Sequence, residues 1–356
     1  MNNINREILE KIIGAGIQAP SGENCQPWKF KVAGDLIELY LIPERDTSLY
    51  SWGNLASFFA HGAVLENMDI MARCLGYRLS LSLFPDPQTP ELTARMWVEK
   101  SEVQQSSLCE AIARRVTNRK PYKKYSISLA EKEKIIIPNN SIHGVGVLLL
   151  DDYKRIQILA KAGSVNEKTL FGNKSLHNFF FSHISWTKEE DTKKSIGFFI
   201  DTLELPLPAK IMFKVFKSWK ILTVMNKLIG IAKLVSLANE QIYKTASAIG
   251  IVTVQTATPR DFVNAGRIME RLWLTVTAEG LSLQPLAGLV FLMRRIEAGE
   301  TKDFSPEQIK NITDSYGFIK ACFGLQNETV TMMFRIGKGD SPSAQASRLP
   351  PIIEWK

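Results

Sequence analysis

The chain has 356 residues, a length of about two domains or one large one at roughly 100–200 residues per domain. Apolar residues make up 45% and charged residues 22%, which excludes a disordered, collagenous or coiled-coil chain and provides core enough without a metal or disulfide staple. Lys+Arg is 44 against 36 Asp+Glu, a net charge of +8. There is no finger, RNA-recognition signature or dense basic arm, so nucleic acid is not an expected partner.

Residues 6–18 place Ile8, Leu9, Ile12, Ile13 and Ile17 on one helical face, mixed with charge unlike the core of a signal peptide. The turn cluster Pro20-Ser21-Gly22 should stop this helix. Trp28–Val32 and Leu36–Ile42 read as two strands around Gly34-Asp35. A second helix is expected over about Ala56–Cys74, stopped by Gly76, and then a strand over Tyr77–Phe84. The polar run Lys100–Ser107 suggests a boundary, dividing the chain into 1–105 and 106–356.

From Leu205 to Asn239 there are six lysines (Lys210, Lys214, Lys217, Lys220, Lys227 and Lys233) and no acid, with large apolar residues between them. This fits an amphipathic helix touching a membrane or an acidic polymer. It equally fits a helical insertion at about 205–240, packed on its own domain with lysines turned outward. No uninterrupted apolar run approaches the roughly 18 residues of a span, so stable membrane insertion is not expected.

Further on, Ala265–Thr277 reads as a helix and Gly280 as its stop, with the apolar-rich Leu281–Pro285 directly after. Shifted by 204 positions, Gly62 falls on Gly266, Glu66 on Glu270, Gly76 on Gly280 and Leu79 on Leu283. The matched glycines point to an internal duplication, two copies of one α+β unit in a single chain.

Cys25, Cys74, Cys109 and Cys322 make no CxxC pair and no histidine stands at ligand spacing. The expectation is four reduced thiols, no metal and a cytoplasmic protein. His61, His143, His177 and His183 have no evident reacting neighbour and read as structural.

Four segments could carry chemistry. Residues 19–28, APSGENCQPW, combine a hydroxyl, an amide and free backbone N–H groups in a turn, a set that suits a ligand edge but also an ordinary turn. In 114–122, RRVTNRKPY, an extended backbone would put Arg115, Thr117 and Arg119 on one face, able to grip a phosphate; a solvated basic turn is the plainer alternative. Pro285-Leu286-Ala287-Gly288 would let a backbone N–H approach a flat ring, or would simply connect two elements. The tail carries IGKGD at 336–340 and Ser347-Arg348-Leu349-Pro350, where Arg348 could be only a surface charge.

Taken in this order, the four segments resemble the FMN-dependent nitroreductase-like family, and the duplication with its lysine-rich insertion resembles the tandem, Acg-like branch. The resemblance implies an α+β fold of two pseudo-symmetric halves, each a mainly antiparallel sheet packed by helices. It implies non-covalent FMN, with NAD(P)H as co-substrate and hydride passing through flavin N5 to a nitroaromatic or quinone-type acceptor. It also leaves room for a storage protein with a lid closed over the flavin. Pro20, Ser21, Gly22 and Asn24 match the loop reaching the flavin. Arg115 and Thr117 match the phosphate and ribityl positions, and Arg119 the pyrimidine edge. Arg348 matches the C-terminal phosphate arginine, and Ala287, with Gly288 beside it, the backbone N–H at N5. No side chain is expected to act as acid or base. Ala346 and Ala287 depart from the family, where a lysine and often an acid stand. The loop at 19–28 has no second copy between Tyr122 and Gly144, so one FMN per chain is expected, in a monomer (an intrachain pseudo-dimer) or a homodimer.

Overall fold

The computed structural model describes residues 4–136 and 142–356. Part of the stretch searched for a second loop, 137–141, lies outside the described residues. The molecule is α+β, with two larger sheets, helices packed on both, and a two-stranded parallel ribbon of Ile184–Ser185 and Phe198–Phe199 among the described residues.

The first helix, Arg6–Gly16, starts where Asn5 accepts from the Glu7 N–H and buries Leu9, Ile12 and Ile13. The hairpin forms as expected: Trp28–Ala33 pairs antiparallel with Leu36–Leu41, and Gly34 at φ +60° makes the two-residue turn. The strand Tyr77–Leu83 pairs with Leu92–Lys100, which in turn pairs with Leu36–Leu41. The fifth strand comes from far away. Ile353–Trp355 lies parallel to Trp28–Ala33, with Phe30 opposite Ile353 and Val32 opposite Trp355. The second sheet is antiparallel throughout, in the order Val145–Leu150, Ala248–Val254, Thr329–Gly337, Ser282–Pro285.

Two twenty-residue helices, Leu55–Cys74 and Pro259–Ala278, make the largest helix contact. The second begins in a capping box between Thr258 and Asp261, with Pro259 in its first turn. They cross at Gly62 and Gly266. A Cβ on Gly62 would strike the Val263 carbonyl, and one on Gly266 would strike the Phe59 carbonyl. Val263 is Phe59 shifted by the same 204 positions, so the contact is reciprocal, as in an isologous interface. One core cluster joins both helices to the inner faces of both sheets, from Phe30 and Leu39 to Val252 and Phe334. A second cluster joins the helices between 153 and 323 to Ile249, Ile251, Val330 and Met333 of the second sheet.

The cysteine expectation is corrected. Cys74 and Cys109 are disulfide-bonded, their Cα atoms 6.8 Å apart, while Cys25 and Cys322 are free thiols. The sequence separation of 35 concealed a pair that the fold brings together, at the end of the first long helix and on the helix Ser107–Arg114. The cytoplasmic expectation thereby loses the support it drew from reduced thiols. No single described helix is long and apolar enough to cross a membrane, and no described cluster of His, Cys, Asp or Glu is arranged to hold a metal.

The lysine-rich region is three helices rather than one: Leu207–Phe216, Trp219–Ile229 and Ile231–Tyr243. Breaks fall at Ser218, which caps the next helix, and at Gly230, left-handed at φ +68°.

Candidate functional site

Seven of the ten residues singled out from the sequence line one cavity: Pro20, Ser21, Asn24, Arg115, Thr117, Arg119 and Arg348. Its volume is about 100 Å³, and Val116, Gly197, Phe198, Thr202, Gln345 and Ala346 complete its walls. Gly22 belongs to the same loop but does not line the cavity, and neither do Ala287 and Gly288.

The basic segment is extended where it matters. Helix Ser107–Arg114 ends, and Arg115 adopts φ −60°, ψ 124°. Thr117 then bridges Leu283 in parallel fashion, and the Asn118 N–H donates to the Leu283 carbonyl at 3.1 Å. Side chains alternate along such a segment, which puts residues 115, 117 and 119 on the cavity. Arg335 fixes the segment from behind. Fully buried, it donates to the Lys120 carbonyl at 2.7 Å and to Gln284 Oε1 at 2.7 Å, and lies 3.9 Å over the Tyr122 ring. The segment is thus tied to the strand that leads into Ala287 and Gly288.

The loop after the first helix is held in a costly conformation. Glu23, Asn24 and Gln26 have φ of 44°, 55° and 49°, the left-handed region that non-glycine residues avoid. Hydrogen bonds impose it: Asn24 Nδ2 donates to the Ser347 carbonyl at 2.9 Å, Gln26 Nε2 to the Ser195 carbonyl at 2.7 Å, and the Leu349 N–H to Gln26 Oε1 at 3.0 Å. The loop therefore clamps the C-terminal arm that carries Arg348. Gly197, at φ +92° with its N–H on the Glu23 carbonyl, packs where a Cβ would strike the His183 carbonyl. This is a place only glycine can occupy.

The three arginines are short of counter-charge. Arg115 has its Nε 3.0 Å from Glu270 Oε1, donates to the Gln18 carbonyl at 2.7 Å and stacks 4.5 Å over Trp273. Arg348 donates to the Ala19 carbonyl at 2.7 Å and Asn24 Oδ1 at 3.0 Å; Arg119 donates to the Thr202 carbonyl at 2.9 Å. Among the described residues, neither Arg119 nor Arg348 ion-pairs with a carboxylate. Burial, and after it the neighbouring Arg115, bring the Arg348 guanidinium down to about 9; burial also lowers Arg119. Of the three guanidiniums, only Arg115 ion-pairs with a carboxylate among the described residues, so positive charge is in excess around the cavity. A phosphate monoester carries about −1.5 to −2.

The sequence reading missed a second polar cluster. Tyr50 Oη donates to Asn166 Oδ1 at 3.1 Å, and Tyr243 Oη donates to Glu167 Oε1 at 3.1 Å. Glu167 Oε2 is buried without a hydrogen-bond partner, and burial pushes its carboxyl up to about 7. Gly288 presses against the Asn166 amide, so the predicted Ala287-Gly288 position belongs to this cluster. No motif signals Asn166 and Glu167, because they lie within a helix, Val165–Gly172. His61 is structural: its two ring nitrogens meet Thr93 Oγ1 at 2.8 Å and the Pro27 carbonyl at 2.9 Å. His177 likewise meets the Phe216 carbonyl at 2.8 Å.

No family model matches the chain. An uncharacterized protein of Mycobacterium tuberculosis is 25% identical over 289 residues, 80% of this chain and 39% of that protein. Another M. tuberculosis protein, named for an NAD(P)H nitroreductase activity, is 26% identical over 118 residues, 33% of this chain and 34% of its own length. The chain thus spans about two fifths or less of the curated relatives it matches. Among solved structures, an FMN- and NADPH-dependent nitroreductase of a Sphingopyxis species covers 69% of this chain and 96% of its own, at 14% identity and TM-score 0.38. A Bacteroides fragilis nitroreductase with bound FMN covers 69% and 95%, at 10% identity and TM-score 0.35. Over a third of its length, then, the chain is similar to a protein named as a nitroreductase.

Proposed function

We propose that the chain binds one FMN and acts as an oxidoreductase, with NAD(P)H as donor and a nitroaromatic or quinone-type acceptor. The observation that carries this reading is the charge of the cavity, lined by Arg115, Arg119 and Arg348, of which only Arg115 ion-pairs with a carboxylate among the described residues. That donor set fits a phosphate monoester through charge-assisted hydrogen bonds. Arg115, Thr117 and Arg348 would hold the phosphate and ribityl chain, and Arg119 the pyrimidine edge. Pro20, Ser21, Gly22 and Asn24 would cover the flank, and the Ala287 N–H, beside Gly288, would face N5. When bound, FMN supplies the two-electron chemistry at N5, and the protein supplies position and electrostatics.

The reciprocal crossing at Gly62 and Gly266 supports an internal duplication, with units at 1–105 and 106–356 and one flavin in the seam. The chain would then be its own pseudo-dimer. A cavity of about 100 Å³ is smaller than the roughly 300 Å³ at which sites for larger organic ligands begin. The wall at Gly197–Thr202 or the arm at 345–348 must therefore give way to admit the ring. The lysine-rich helices at 205–240 do not line the cavity.

The closed wall favours one other reading, a protein that stores FMN without turnover. Purified yellow protein mixed anaerobically with NADH or NADPH separates the two. Bleaching of the flavin band supports the oxidoreductase, and persistence under excess reductant supports storage. A preparation that takes up no FMN refutes both.

A further inference from the structure

The three lysine-rich helices turn the wrong side outward. Ten of the eighteen large apolar side chains exposed on the described molecule lie between Leu207 and Leu237. They fall in stripes at helical spacing. Leu207, Ile211 and Val215 stripe the first helix, Ile221, Val224 and Leu228 the second, and Leu234 and Leu237 the third. Each helix also has an inner side: Phe213, Phe216, Leu222 and Ile231 are buried in the second core cluster. The helices are therefore docked, and their apolar outer stripes are surplus to the fold. Soluble surfaces rarely gather apolar area in this way without a partner.

Charge says which partner. Lys214, Lys217, Lys220, Lys227 and Lys233 are exposed, interleave with these stripes and form no ion pair among the described residues. Only Lys210 of the six is paired, to Asp201 at 2.6 Å. No acid lies between Leu205 and Asn239. A protein partner could match the apolar stripes, but a surface of apolar chains under anionic headgroups matches both features at once. The geometry also sets the mode. The second and third helices together have the length and apolar composition of a span, but neither has them alone, and the two are bent by 80° at Gly230. They would lie in the headgroup plane.

We infer that residues 207–237 form an interfacial docking surface for an anionic lipid bilayer, with Val224 and Leu228 entering the acyl boundary and Lys217, Lys220 and Lys227 on the headgroups. This surface is separate from the arginine-lined cavity, so it stands or falls independently of the flavin reading.

The test is co-sedimentation of the full chain with phosphatidylcholine vesicles, with and without phosphatidylglycerol. The chain should pellet with the anionic vesicles alone, and added salt should release it. Lys220→Gln and Lys227→Gln should each weaken partition by about fivefold. Leu228→Asp should weaken it by about tenfold or more while the thermal melt stays unchanged, because the side chain is 73% exposed. Equal pelleting with neutral vesicles, or none with anionic ones, overturns the inference. So does a chain that dimerises without lipid and loses its dimer in Leu228→Asp, since a second copy would then be the occupant.

Discussion

Replacing Arg348 by alanine tests the site most directly. Its guanidinium is held by the carbonyls of Gln18 and Ala19 and by Asn24 Oδ1, at 3.2, 2.7 and 3.0 Å, so it is already aimed across the strained loop. If it grips a phosphate, its loss removes a charge-assisted contact of about 1.5–3 kcal/mol. That is roughly a 10- to 150-fold rise in Kd for FMN. Riboflavin lacks the phosphate and should lose far less, so the ratio of the two affinities is the measurement, read by quenching of flavin fluorescence. Unchanged discrimination between FMN and riboflavin would refute the phosphate assignment.

Gly62→Ala should destabilise the chain by about 3 kcal/mol or more, because the new Cβ meets the Val263 carbonyl and not a movable side chain; urea unfolding measures this. Cys74→Ser should cost about 2–4 kcal/mol, checked by comparing melts with those of reduced wild type, which should match the variant. Glu167→Gln should flatten part of the pH dependence of stability. Its carboxyl stands at about 7 folded against an ordinary value near 4.5, so the native state binds more protons across that window and stability falls as pH rises through it. Glu23, pushed up to about 8 by burial, acts in the same direction, so the variant should retain a smaller slope.

The local elements were legible because local signals determine them. The turn at Gly34 and the stops at Gly76 and Gly280 all appear within a few residues of sequence, whereas the helix expected from Ala265 starts earlier, at Pro259. The Gly62–Gly266 correspondence was visible too, though its meaning, a close crossing with backbone against backbone, is a tertiary fact. The alternation of Arg115, Thr117 and Arg119 placed three side chains on one face, and the bridge from Thr117 to Leu283 is what holds them there. What stayed hidden is long-range. Nothing near Gly197 or Thr202 announces a cavity wall, because their role depends on Glu23 and Arg119 lying opposite. The partner of Cys74 could not be read from spacing, nor could the strand Ile353–Trp355 beside Trp28–Ala33. Each of these depends on how distant segments meet.

That late strand bears on biosynthesis. Until residue 355 has left the ribosome, the hairpin strand Trp28–Ala33 has an open edge with unpaired N–H and C=O groups. The nascent first sheet must wait, with an aggregation-prone border, while everything between the hairpin and that strand is made. The same wait delays the arm at 345–349, so the arginine cavity can close only after the second sheet and its helices have already emerged.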